Sequence, residues 1–357
     1  MFFSDLWSKI RGAKTRLPSR LKIADENIDN AKYLGTPFTR NQHYFMVVVN
    51  EMFLTQKRNW FSVFSPVVMV TSEFVYDGKM HAVPFLVGPT MLENKIGKLP
   101  NGFIFQNTTV AGQHPYRGGD FAISIVLAKL KREDYIRKIM KILESTSATY
   151  MGSFGKLVSQ YTKVADIVLD GIDELLSNDD LQPVVGQRNE FQALSNDFLP
   201  GYYVLIDAPE EDIDPKKLYI RKHQLYYGNS ADTAEPFRDA DYVLYSILSG
   251  SSRNDIETLP FHQQFRDLQQ LITGMPNIDE SEKALINGKL FALQGMLRSS
   301  PDLIRPQVSE LIEEYREEIK QMIDDRRELS GERKAASSKD PWEEEMDKQA
   351  LEILNLK

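Results

Sequence analysis

The apolar residues of this chain change their period along its length, and that change limits the folds it can adopt. From His43 to Leu130 they come in short β-branched and aromatic runs cut by Gly, Pro and Asn, the pattern of successive strands joined by turns. HYFMVVVNEMFL (43–54), WFSVFSPVVMVTSEFVY (60–76), MHAVPFLVG (80–88), GFIFQNTTVAG (102–112) and FAISIVLAKL (121–130) are the expected strands. Asp77-Gly78 between two of them is a hairpin signal. From Asp134 the spacing turns helical, through Tyr135, Ile136, Ile139, Met140 and Leu143 and then Phe154 to Leu175, which predicts a helical pair over 132–178.

Strand character returns at 202–207, 218–227 and 241–249. After Pro260 three helical stretches run to about Leu329, and Asp279 three positions before Glu282 predicts a capping box. The expected fold is therefore α+β: a mostly antiparallel, β-sandwich-like body with an inserted helical pair, followed by a C-terminal helical region. Its parts are an amphipathic basic helix over 1–22, a β-rich domain over 24–131 and 184–250 with the helical hairpin 132–178 between, a helical region over 258–329, a polar linker over 330–340 and a short tethered helix over 341–357. No internal repeat of fixed period is present, which argues against solenoids and propellers.

Composition narrows the function classes. The chain has 357 residues, 42% hydrophobic and 26% charged, with a net charge of −8 and no cysteine. Disulfides, thiolate zinc sites, iron–sulfur clusters and a cysteine nucleophile are thereby excluded. The acidic balance argues against a broad nucleic-acid footprint. The longest apolar runs, FMVVV (45–49) and PVVMV (66–70), fall far short of the roughly 20 residues of a spanning helix. MFFSDLWSKIRG lacks the apolar core and cleavage site of a secretory signal and reads as a retained segment. The expected location is cytoplasmic, with membrane association through the N-terminal helix as the alternative.

HPYRGGD (114–120) crowds His114, Tyr116, Arg117 and Asp120 around two glycines. A strand-like run follows rather than a helix, and neither nucleotide-loop fingerprint is present. Pro115 and Gly118-Gly119 are what a turn requires. The turn is the favoured reading, and a functional patch of those four side chains the other. The five histidines are scattered, none three or four residues from another, so no helical metal pair is expected. No Gly-x-Ser-x-Gly elbow occurs, and the acidic pairs sit in polar loops, so neither catalytic residues nor cofactors are expected.

The two ends carry the strongest pattern. On a helical projection Phe2, Phe3, Leu6, Trp7, Ile10, Ala13 and Leu17 share one face. Residues 1–22 hold six basic side chains, Lys9 and Arg11 among them, against the single acid Asp5, a local +5 in a chain of −8. At the other end, Trp342, Met346, Ala350, Ile353 and Leu354 share a face after the polar linker, with Leu351 beside them. These stripes point to a non-enzymatic assembly or adaptor protein within a multi-subunit complex, whose partner is another protein or its own oligomer. Phe2, Phe3, Leu6, Trp7, Ile10, Lys9, Arg11, Trp342, Met346, Leu351 and Leu354 are the expected attachment residues. Three alternatives stand: binding of the N-terminal helix to an anionic membrane, an enzyme or ligand-binding protein using the 114–120 loop, and nucleic-acid binding through the basic N-terminus alone.

Overall fold

The structure, a computed structural model, describes residues 19–55, 65–76, 79–87, 108–118, 121–130, 181–191, 198–329 and 348. Mixed helices and antiparallel sheets make up the fold, with a helical region toward the C-terminus. The chain divides into two compact units, one of Met1–Arg40 and Phe45–Gly250, the other of Asn41–Tyr44 and Ser251–Lys357.

The first unit is built of strands: β1 (Ser19–Lys22), β2 (Tyr44–Phe53), β3 (Ser65–Tyr76), β4 (Lys79–Val87), β5 (Thr108–Pro115), β6 (Phe121–Leu130), β7 (Leu181–Phe191), β8 (Gly201–Ile206), β9 (Leu218–Arg221), β10 (Gln224–Tyr227), β11 (Glu235–Pro236) and β12 (Tyr242–Gly250). They form a five-stranded sheet in the order β1-β8-β12-β2-β5, a four-stranded sheet β4-β3-β6-β7 and a three-stranded sheet β11-β10-β9. In the four-stranded sheet every neighbouring pair is antiparallel, and a bulge at Val184 of β7 interrupts its pairing with β6 opposite Leu127 and Ala128.

Continuous apolar runs mark strands buried on both faces, because alternation survives only where one face meets water. One face of β2, β8 and β12 gives Val47, Val49, Tyr203, Leu205, Val243, Tyr245 and Ile247 to a cluster that also holds Val68, Val70 and Phe74 of β3 and Ile123, Ile125 and Leu127 of β6. The opposite face gives Val48, Tyr202, Val204, Ile206, Tyr242 and Leu244 to a second cluster with Leu218, Ile220 and Leu225 of the three-stranded sheet. Glu73 of β3 and Arg188 of β7 form a two-pronged ion pair across β6.

Three elements differ from the sequence expectation. The helix expected over 1–22 does not extend through its last residues, since Ser19–Lys22 is the edge strand β1, antiparallel to β8. Pro18 disfavours helix at the residue before it and cannot donate to a helical ladder, and Leu21 enters the second cluster. Arg20, counted among the basic helical residues, lies 4.8 Å from the Phe191 ring and 5.0 Å from Tyr203. The single strand expected over 218–227 reverses at Lys222 and His223, both left-handed at φ 49° and 64°, the backbone of a two-residue hairpin turn. The second β-rich segment also begins earlier than the first strand expected in it, with β7.

The second unit contains α1 (Pro260–Gly274), α2 (Glu280–Ser299) and α3 (Arg305–Leu329). Pro260 opens α1 at a position where its missing N–H costs nothing. Asp279 caps α2 in the expected capping box: its carboxylate accepts from the Ser281 and Glu282 amides at 2.8 and 3.0 Å, and Glu282 accepts from the Asp279 amide at 2.8 Å. Phe261, Phe265, Leu268 and Ile272 of α1 pack with Ile286, Leu290, Leu293 and Leu297 of α2 and Ile312, Tyr315, Ile319 and Ile323 of α3. Among the described residues no helix is long and apolar enough to cross a membrane.

Candidate interaction face

The attachment residues expected at the two ends, Phe2, Phe3, Leu6, Trp7, Ile10, Lys9 and Arg11 and then Trp342, Met346, Leu351 and Leu354, lie outside the described residues, as do Asp120 and the helical pair 132–178. The rest of the 114–120 patch is described. His114 is the penultimate residue of strand β5, with its ring 4.4 Å from Phe74 and 5.7 Å from Phe45. Tyr116 is tilted against Phe38 and Phe198 at 5.3 and 5.6 Å, and burial pushes its hydroxyl pKa up. Arg117 is half-buried. Gly118 has φ 70°, and a Cβ there would sit 3.2 Å from the Arg40 side chain. His114 and Tyr116 thus pack on aromatic rings beside a glycine-dependent bend.

The first unit also holds a buried charged group that the sequence did not flag. Glu51 has no exposed surface. One of its oxygens accepts from the Leu225 amide at 2.7 Å and the other faces Arg238 at 3.0 Å, while Arg238 also donates to the Tyr242 hydroxyl and lies 4.8 Å from the Phe53 ring. Burial raises the Glu51 pKa, against the opposing pull of the Leu225 amide and Arg238. The same burial holds the Tyr242 hydroxyl well above its ordinary value. Every group in this network points at another, so its chemistry is spent on joining β2 to the β10–β12 region.

In the helical unit an open cleft runs beside α1 and α3, lined by Glu257, His262, Arg266, Gln269, Glu314 and Glu318 among others. His262 Nδ1 is 3.1 Å from the Tyr315 hydroxyl, and Tyr315 stacks on Phe265 at 3.8 Å. Desolvation, then Arg266, lowers the His262 pKa. Glu257 and Arg266 on the rim are mostly exposed. Among the described residues no three His, Asp or Glu side chains gather as a metal-holding group.

The outer face of α2 is a feature that the packing among the described residues does not use. Its inward residues, Ile286, Leu290, Leu293 and Leu297, account for the core. Yet Ala284, Leu285, Gly288, Phe291, Ala292, Gly295 and Met296 are all exposed, and Leu285, Phe291 and Met296 keep 47%, 48% and 39% of their surface. At about 100° per residue these positions span an arc of roughly 140°. Scattered apolar side chains on a surface need no explanation, but a contiguous apolar face of this kind marks an interaction site. Gly288 and Gly295 sharpen the point. Each costs a helix interior about 1 kcal/mol relative to Ala, and a Cβ at either would meet nothing within 4 Å. Among the described residues no contact requires them.

The sequence predicts a helix over DESEKALINGKLFALQGML (279–297) without marking its outer face. A usable signal was present: apolar residues on both sides of one helix, with two glycines seven positions apart. Compared with known proteins, the chain matches no family model, no curated protein and no solved structure.

Proposed function

We propose that this is a non-enzymatic assembly protein that joins other polypeptide through the outer face of α2, with the amphipathic segments at its two ends as additional attachments. The single observation that carries this reading is the exposed Leu285, Phe291 and Met296 beside two glycines that no contact among the described residues needs. Water gains nothing from such a face, whereas a docked helix covers the large side chains and uses the glycines for close approach. The β unit serves in this reading as a two-layer sandwich scaffold, a view supported by the apolar cluster common to its two larger sheets. The buried position of Glu51 and the packing of His114 and Tyr116 on aromatic rings favour structural over catalytic roles for those groups.

The test compares the full-length chain with Phe291→Glu and with versions lacking 1–22 or 335–357. Each is used for affinity purification from the cells that make it, and retained proteins are then mixed with purified chain to measure direct binding. The reading expects Phe291→Glu to lose binding that is reproduced with pure components, while its melting curve stays unchanged. Equal retention by wild type and Phe291→Glu sinks the role of α2. Binding to anionic vesicles that survives Phe291→Glu and is lost without 1–22 favours the membrane alternative instead.

A further inference from the structure

We infer that the partner of the α2 face is α2 of a second copy, packed antiparallel about a two-fold axis between Phe291 and Ala292. The inference rests on the assembly reading above and names its partner.

The residues on this face repeat symmetrically about that point. Gly288 and Gly295 are equally far from it, as are Ala284 and Ser299. All four, with Phe291 and Ala292, fall within about 100° of helix circumference. A two-fold axis perpendicular to an antiparallel helix pair sets each residue opposite its mirror position while keeping it on the same flank. Gly288 of one copy then faces Gly295 of the other along the centre line, and Ala284 faces Ser299. On one flank the two Phe291 rings meet across the axis. On the other, Leu285 lies beside Met296 of the second copy. The three exposed large apolar side chains all find apolar partners, and the glycines stand where the two backbones come closest.

Charge follows the same symmetry. Glu280 in the first turn and Arg298 in the last project on the same flank as Phe291, and both are exposed. Antiparallel pairing brings Glu280 of each copy within side-chain reach of Arg298 of the other, twice per dimer, whereas parallel pairing sets Glu280 against Glu280. The helix dipoles also oppose favourably in the antiparallel arrangement. Such rim charges select orientation and register more than they add affinity. One helix face per copy is a small interface, so association in roughly the micromolar range is expected.

Sedimentation of the full-length protein at rising concentration reads the stoichiometry. Because the chain has no cysteine, Phe291→Cys and, as control, Gln264→Cys on exposed α1 surface give single-thiol proteins for oxidative cross-linking. The expected results are a reversible dimer, a disulfide-linked dimer from Phe291→Cys but not from Gln264→Cys, and dimerisation weakened about tenfold or more by Gly288→Leu, a change that adds bulk only where the monomer is open. Glu280→Arg weakens the dimer, and adding Arg298→Glu restores it. A protein that stays monomeric throughout overturns the inference, as does a dimer that Gly288→Leu leaves intact or that Phe291→Cys does not link. A monomer that dimerises only after removal of 330–357 assigns the face to the chain's own C-terminal segment and also overturns it. If the wild type is monomeric yet binds a different protein through Phe291, the assembly reading survives and the second copy does not; if it binds neither, both fall.

Discussion

Arg238 reaches Glu51 across 187 positions of sequence, its guanidinium 3.0 Å from a carboxylate that has no exposed surface. Removing Glu51 deprives Arg238 of a charged partner and the Leu225 amide of its acceptor. Arg238 is 28% exposed and keeps the Phe237 carbonyl and Tyr242 hydroxyl as acceptors, so Glu51→Ala should cost about 2–3 kcal/mol in denaturant unfolding, mainly by leaving the buried Leu225 amide without its acceptor. Glu51→Gln keeps an acceptor for that amide and should lose less, about 1–2 kcal/mol. The native pKa is raised, so the folded state holds the proton more tightly than the unfolded one. The resulting stability is complete below the ordinary value of 4.5 and is lost as pH rises through the native value. Glu51→Gln should lack that decline, which urea titrations from acid to neutral pH would detect.

Gly35 offers a backbone test. Its φ is 83°, and a Cβ there would lie 2.0 Å from the Ser249 carbonyl oxygen. Neither the dihedral nor the oxygen can yield cheaply, so Gly35→Ala should destabilise by about 3 kcal/mol. An unchanged unfolding midpoint would contradict the close approach of this turn to β12.

His262 should titrate below the ordinary histidine value of 6.5, since burial and Arg266 both oppose its charged form. The unfolded chain then takes up this proton first as pH falls. Stability contributed by the neutral ring is complete above 6.5 and declines as pH drops from there toward the native value. The proton spectrum, assigned by the signal missing in His262→Gln, reads the pKa directly. A value above 6.5 would contradict the burial of the ring and the influence of the nearby Arg266 charge.

Asp279 has the opposite chemistry and the same slope. Amide hydrogen bonds from Glu282 and Ser281 lower its pKa below the ordinary 3.8. Its contribution is present above that value and disappears as acid protonates the native carboxylate. Asp279→Ala should lower the melting temperature at neutral pH, and the gap from wild type should close in strong acid. Asp279→Ser, which retains an acceptor for the amides, should fall between the two at neutral pH.

The parts of the fold legible from sequence are those whose residues are decided locally. The runs around Val47 to Val49, Tyr202 to Ile206 and Tyr242 to Leu248 read as strands because β-branched and aromatic residues fill both faces of central strands. The Asp279–Glu282 box was legible from spacing alone. The reversal at Lys222–His223 was not, because Lys-His carries neither the glycine nor the Asn or Asp of the usual two-residue hairpin signal. It is fixed instead by distant partners, the Asp29 carboxylate accepting from the Lys222 amide at 2.9 Å and Tyr202 bonding the His223 ring. Strand β1 was hidden for a related reason: Arg20 and Lys22 resemble the cationic side of the preceding stretch until Phe191 and Tyr203 are brought beneath Arg20. The outer face of α2 escaped notice because Leu285, Phe291 and Met296 interleave in sequence with the core residues Ile286, Leu290 and Leu297. Only burial separates the two sets.

The placement of β1 has a mechanical consequence. It is an edge strand held by four residue pairs to β8, and it is the first element of the described chain. Tension that reaches β1 at Ser19 would load that short ladder and Arg20 on its two aromatic rings before it reached the interior strands β8 and β12.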